Sequence, residues 1–138
     1  MSDGSQGALG KSPFILIARI KVKEGMVDEY LKIASEVDNA VEHTEPGMLF
    51  QNFNADPTDP LSFTWTEVYK DSASFIFHVN NPPVQEDVGK HAELGDEFSI
   101  EIYGNVSEEV IYNINELNLP LRHFKTTVVG YVRDNYFK

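Results

Sequence analysis

From Phe14 to Val22 apolar side chains fill every even position, while the odd positions run Ile15, Ile17, Arg19 and Lys21. A period of two predicts a strand, and apolar residues on both faces at its start place that strand centrally in a sheet. Gly25 breaks the pattern, and Val27, Tyr30, Leu31, Ala34, Val37 and Val41 then recur every three or four residues, the stripe of an amphipathic helix. Asp28 and Glu29 suit the positive end of its dipole, and Pro46-Gly47 after Glu45 ends it.

A second strand is predicted over residues 48–55, and the Asp56-Pro57-Thr58-Asp59-Pro60 run that follows is hairpin-loop chemistry. In the third strand, residues 61–69, Leu61, Phe63, Trp65, Glu67 and Tyr69 share one face, and Ser62, Thr64, Thr66 and Val68 the other. Asp71 or Ser72 caps a short helix carrying Phe75, Ile76, Phe77 and Val79, which Asn81-Pro82-Pro83 breaks before a second helical piece, residues 84–94. The fourth strand, residues 97–105, alternates Phe98, Ile100 and Ile102 against Ser99, Glu101 and Tyr103, with Gly104 at a candidate bulge. Right-handed crossovers turn this βαββαβ order into a ferredoxin-like α+β fold, an antiparallel sheet with helices on one face and the first and third strands central. The folded unit is expected over residues 14–106, after a frayed polar tail of residues 1–13 and before an extension, residues 107–138. In that extension Ile111, Ile114 and Leu121 suit a helix, whereas Leu117, Leu119 and Leu121 suit a strand, and residues 126–133 are predicted to add a strand.

Composition narrows the function. Twenty-two acidic against eleven basic residues give a net charge of -11, which repels nucleic acid and anionic membranes. The chain has no cysteine, so disulfides, thiol nucleophiles and thiolate metal ligands are excluded, and a cytoplasmic setting is expected. The apolar run at residues 14–18 is too short for a secretory or membrane-spanning segment. No Gly-rich phosphate loop, nucleophile elbow or calcium loop occurs, so no cofactor is expected.

Helices on one side leave the other sheet face open, and both faces carry large apolar side chains. A homodimer pairing sheet against sheet is the expected closure, with residues 126–133 covering an edge in the same subunit or the partner. Under the helices, His78 shares a face with Phe75 and should point inward, where an imidazole can take a proton near neutral pH. His91, seven residues beyond Val84, also faces inward. Trp65, Tyr69, Phe63 and Phe75 would wall an apolar cavity, with Asn52, Glu67, Tyr103 and Arg19 as polar candidates to orient a ligand. Arg19 must meet a carboxylate, either Glu67, Glu101 or that of a ligand. A metal set of His78 and His91 with Glu86 or Asp87 lacks zinc-type spacing, and none is expected.

Lys23-Glu24-Gly25, Glu45-Pro46-Gly47, Asp56-Pro57 to Pro60, Glu67-Val68-Tyr69 and the helical pattern Asp71, Phe75, His78, Pro82 together resemble the antibiotic biosynthesis monooxygenase superfamily over roughly residues 14–105. That resemblance implies a dimeric α+β barrel. It also implies a cofactor-free oxygenase acting on a small, hydrophobic, oxygenated molecule, with His78 as base and Tyr69, Trp65 and Asn52 positioning. The rival reading is a binding protein for a hydrophobe such as a fatty-acyl chain, its acid head near Arg19 or His78. The haem-degrading branch would carry tryptophan at the end of the third strand, where this chain has Tyr69.

Overall fold

The structure, a computed structural model, describes residues 10–133. Five strands, β1 (Phe14–Val22), β2 (Met48–Ala55), β3 (Ser62–Tyr69), β4 (Gly95–Tyr103) and β5 (Leu121–Phe124), form one sheet in the order β2-β3-β1-β4-β5. Helices α1 (Val27–Thr44), α2 (Ser72–Asn80), α3 (Pro82–Leu94) and α4 (Glu108–Glu116) pack on one face. The ferredoxin-like α+β order read from the sequence is the observed one, with β1 and β3 inside the sheet.

Alternation decides which side chains meet the helices. Phe14, Leu16, Ala18, Ile20 and Val22 of β1 are buried under them, and Ile15, Ile17, Arg19 and Lys21 point to the open face. Tyr69, Ile102, Val41, Val110 and Ile114 are completely buried between the layers, each contributing roughly 1.5–3 kcal/mol by leaving water. In the hairpin, Asp56 Oδ1 accepts the Thr58 backbone N–H at 2.8 Å and Asp59 Oδ1 that of Leu61 at 3.0 Å. These bonds hold both carboxyls below the usual range.

The extension differs from expectation. The ambiguous piece is α4, whose Val110 and Ile114 enter the main core, and it serves as a crossover. A strand reached through a helical crossover runs parallel to the one before it, so β5 pairs parallel with β4 and the sheet is mixed. The added strand is residues 121–124, not 126–133. Val128, Val129 and Tyr131 are 75–90% exposed, because β5 already occupies the sheet edge and leaves residues 126–133 no strand to pair with there. Gly104 is no bulge. It ends β4 at φ 132°, where an added Cβ would crowd Phe14, and the register shift lies at Lys21 and Val22. Of the tail expected to fray, residues 1–9 lie outside the described residues. Gly10 is tied down, its carbonyl accepting the Ser72 N–H at 2.9 Å.

Candidate functional site

The strand period carries Phe63, Trp65, Glu67 and Tyr69 of β3 beneath the helices. Asp71 fixes the phase of α2 by accepting the Ser74 N–H at 2.9 Å and its hydroxyl at 2.7 Å, which turns Phe75 and His78 inward. Glu45, at the end of α1, is 4% exposed. Its carboxylate accepts His78 Nδ1–H at 2.9 and 3.0 Å and Asn81 Nδ2–H at 2.8 Å. Glu67 accepts the Tyr69 hydroxyl at 2.6 Å and Gln51 Nε2–H at 3.1 Å. The Tyr69 ring meets the His78 ring edge-on, centroids 5.7 Å apart.

These groups border a cavity of about 70 Å³. Leu16, Ala18, Trp65, Phe75, Val84, Phe98 and Ile100 give its apolar wall, and Gln51, Glu67, His78 and Asp87 the polar one. A water needs roughly 10–15 Å³, so the space suits dioxygen or one small ring and not a macrocycle. Nδ1 of His78 is committed to Glu45, while Nε2 has no hydrogen-bond partner. Burial lowers the His78 pKa, but the Glu67 charge and the bond and charge of Glu45 outweigh it, and the imidazole is held above its ordinary value. Burial and the Glu67 charge push Asp87 up to about 6, against the opposing pull of His78. Tyr69, wholly buried beside Glu67, is pushed far up and stays a neutral donor.

Of the candidates named from sequence, His78, Trp65 and Phe75 line this cavity, and Tyr69 stands behind it holding Glu67. The others lie elsewhere. Arg19 is on the open face, its Nε 3.2 Å from Glu101, which settles the choice between Glu101 and Glu67 and takes it out of the cavity. Tyr103 is on that face too, donating to Glu101 at 2.7 Å and stacked on Phe124. Asn52 is exposed, one residue out of phase, and Gln51 takes the inward position, because a register shift between Met48 and Phe50 resets which residues of β2 face the helices. His91 belongs to a separate cluster with Tyr30, Phe98 and Leu94. The Tyr30 hydroxyl meets its Nδ1 at 2.7 Å, and burial lowers its pKa against a hydrogen bond to the Glu97 backbone, leaving a neutral, fully partnered ring. The His78–His91 metal set is therefore not assembled, and no group of three or more metal-ligating side chains occurs among the described residues. Gln51 and the inward role of Glu45 escaped the sequence reading, since both depend on contacts 16 and 33 residues apart.

The sequence pattern of antibiotic biosynthesis monooxygenases matches residues 13–88, more than half of the chain. The chain belongs to that family. Glu45, Glu67, His78 and Asp87 all fall within the matched segment, whereas α4 and β5 lie beyond it. An uncharacterised protein of Synechocystis sp. is 29% identical over 82 residues, covering 59% of this chain and 55% of that relative. The match thus spans about half of the relative's length. Among solved structures, MupZ of Pseudomonas fluorescens superposes with a TM-score of 0.69 at 13% identity, covering 90% of this chain and 97% of its own. A Caulobacter crescentus protein assigned to the antibiotic biosynthesis monooxygenases gives 0.66 at 17% identity, over 72% and 94%. At such identities these two superpositions speak for the shared fold alone. No helix among the described residues is long and apolar enough to cross a membrane.

Proposed function

We propose that this family member is a cofactor-independent oxygenase that takes a proton from the hydroxyl of a small hydrophobic substrate held beside His78. The observation that carries the reading is the buried Glu45–His78 pair, which protonates Nδ1 and leaves the Nε2 lone pair free at an apolar cavity. His78 Nε2 receives the substrate proton and the resulting anion is electron-rich enough to reduce dioxygen. One oxygen atom joins the substrate and the other leaves as water with two of its hydrogens. Glu67 and Glu45 stabilise the imidazolium so formed, and Glu45 acts as a positioning residue. Trp65 and Phe75 provide flat walls for the ring.

The cavity's charge favours this over the fatty-acid alternative. A fatty acid's carboxylate would sit beside Glu67 and Asp87 with Arg19 out of reach. Oxygen uptake with a panel of phenols and quinols tests the proposal. Wild type is expected to turn over a member of the panel and His78→Ala to lose about 10²-fold or more. No uptake by wild type, or equal rates in the variant, would overturn it.

The working unit of this proposal is a homodimer closed through the open sheet face. There Phe50, Val68, Ile15, Tyr103 and Phe124 stand opposite one another across all five strands. Phe50 is 47% and Ile15 40% exposed, and Ile15, Val68 and Tyr103 border a cavity of about 550 Å³ whose far side is Thr127 and residues 130–133, so the protomer covers this apolar row only in part.

A further inference from the structure

Three groups at the cavity beside His78 carry hydrogen-bonding capacity that the protein leaves unused. Gln51 spends Nε2 on Glu67, and its Oε1 is buried with no partner. His78 spends Nδ1 on Glu45, leaving Nε2. Asp87 makes no hydrogen bond or ion pair, although its carboxyl lines the cavity. With the His78 proton on Nδ1, Gln51 Oε1 and His78 Nε2 can only accept, and so can Asp87 once ionised. A buried acceptor without a donor costs roughly 1–3 kcal/mol, which a ligand bearing N–H or O–H groups recovers.

Charge points the same way. No lysine or arginine lines the cavity, and Glu67, Asp87 and the adjoining Glu45 outnumber His78 even when it is protonated. A surface cleft of about 240 Å³ between α1 and α3, lined by Ile33, Glu36, Pro83, Glu86 and Lys90, shares Val37 and Asp87 with the inner cavity. Asp87 therefore stands where the two spaces meet, at the threshold any ligand arriving from that cleft passes.

We propose that the cavity selects ligands by hydrogen-bond donation and charge: neutral or cationic single-ring donors are accepted past Asp87 from the α1–α3 cleft, carboxylates are rejected, and Gln51 and Asp87 determine this specificity. The inference rests on the cavity beside His78 being the ligand site, but not on turnover there.

Trp65 is the only tryptophan of the chain and lines the cavity, so quenching of its emission reads occupancy directly. Phenol, benzylammonium and benzoate, titrated at pH 8, differ in charge and donors at nearly constant ring size. Phenol and benzylammonium are expected to bind about tenfold or more tightly than benzoate, since like charges brought together in a partly buried site repel strongly. Asp87→Asn should narrow the gap between benzylammonium and benzoate several-fold. Gln51→Leu should weaken phenol several-fold and leave toluene unchanged. Benzoate binding as tightly as phenol, an undiminished gap between benzylammonium and benzoate in Asp87→Asn, or no quenching by any of the three would overturn the inference. The wild-type order needs no variant to fold. Selectivity without oxygen uptake would sink the oxygenase reading and leave this one standing; uptake without selectivity would do the reverse.

Discussion

Glu45 and His78 face each other at 2.9 Å inside a protein that exposes almost none of either side chain, so the charge of one sets the basicity of the other. Removing that charge in Glu45→Gln should lower the His78 pKa. In an oxygenase whose base is neutral His78, the acid limb of the pH–rate profile should then move down by about one unit, and Glu45→Asp should restore it in part. A purely structural Glu45 would change the rate without moving the limb. The stability sign follows from the same shift: a histidine raised above its unfolded value stabilises fully below that value and loses the contribution as pH rises through its folded one. Asp87 also titrates higher when folded, at about 6, so its burial cost is absent in acid and develops as pH climbs through about 4 to 6. Asp87→Asn should accordingly raise Tm at pH 8, by an amount corresponding to on the order of 2 kcal/mol, with the gain shrinking towards pH 4. Thermal melts of both proteins across that range check it, and an equal gain at every pH would refute the assignment. The sequence made His78, Trp65 and Phe75 legible as inward-facing because each follows from a strand or helix period. It could not show that Gln51 and not Asn52 faces the cavity, since the shift in β2 is written in pairing with β3 and not in β2's own residues.

At the scale of elements, two glycines allow close approaches that the site and its neighbour require. Gly47 closes the turn from α1 into β2 against the N-terminus of α2, and an added Cβ would press on Ser74 at 2.6 Å from its Cβ. Gly47→Ala should push α2 away and draw His78 off Glu45, at a cost of roughly 1–3 kcal/mol measurable by denaturant unfolding. Wild-type stability in the alanine variant would refute that packing role. Gly95, at the start of β4, leaves room for the His91 ring, which a methyl there would displace from Tyr30. The helices and strands themselves were plain from periodicity, to within a few residues at every boundary through β4. The extension was not, because residues 107–120 carry both a three-to-four and a two-residue apolar spacing. Burial of Val110 and Ile114 against the main core resolves that ambiguity in favour of a helix.

For the whole molecule, the open-face row Phe50, Val68, Ile15, Tyr103 and Phe124 makes assembly the testable property. A carboxylate placed mid-row in Val68→Asp would be desolvated without a partner in a sheet-to-sheet dimer. Sedimentation should show a dimer for wild type and a monomer for the variant, with secondary structure retained; a wild-type monomer would refute the assembly. Residues 126–133 bear on the same question, since Tyr131 and Val132 border that row while Val128 and Val129 are about nine-tenths exposed. The sequence by itself determined the order of elements, the inward and outward faces of β1, β3 and α2, and the net charge of -11, because period, turn chemistry and charge are local or additive properties of the chain. Only the tertiary structure decided that Glu45 holds His78, that Arg19 closes on Glu101, that His91 is occupied by Tyr30, and that β5 rather than residues 126–133 completes the sheet. Each of those outcomes is a competition among distant partners for one hydrogen bond or one edge, and it is resolved by where the packed layers bring them.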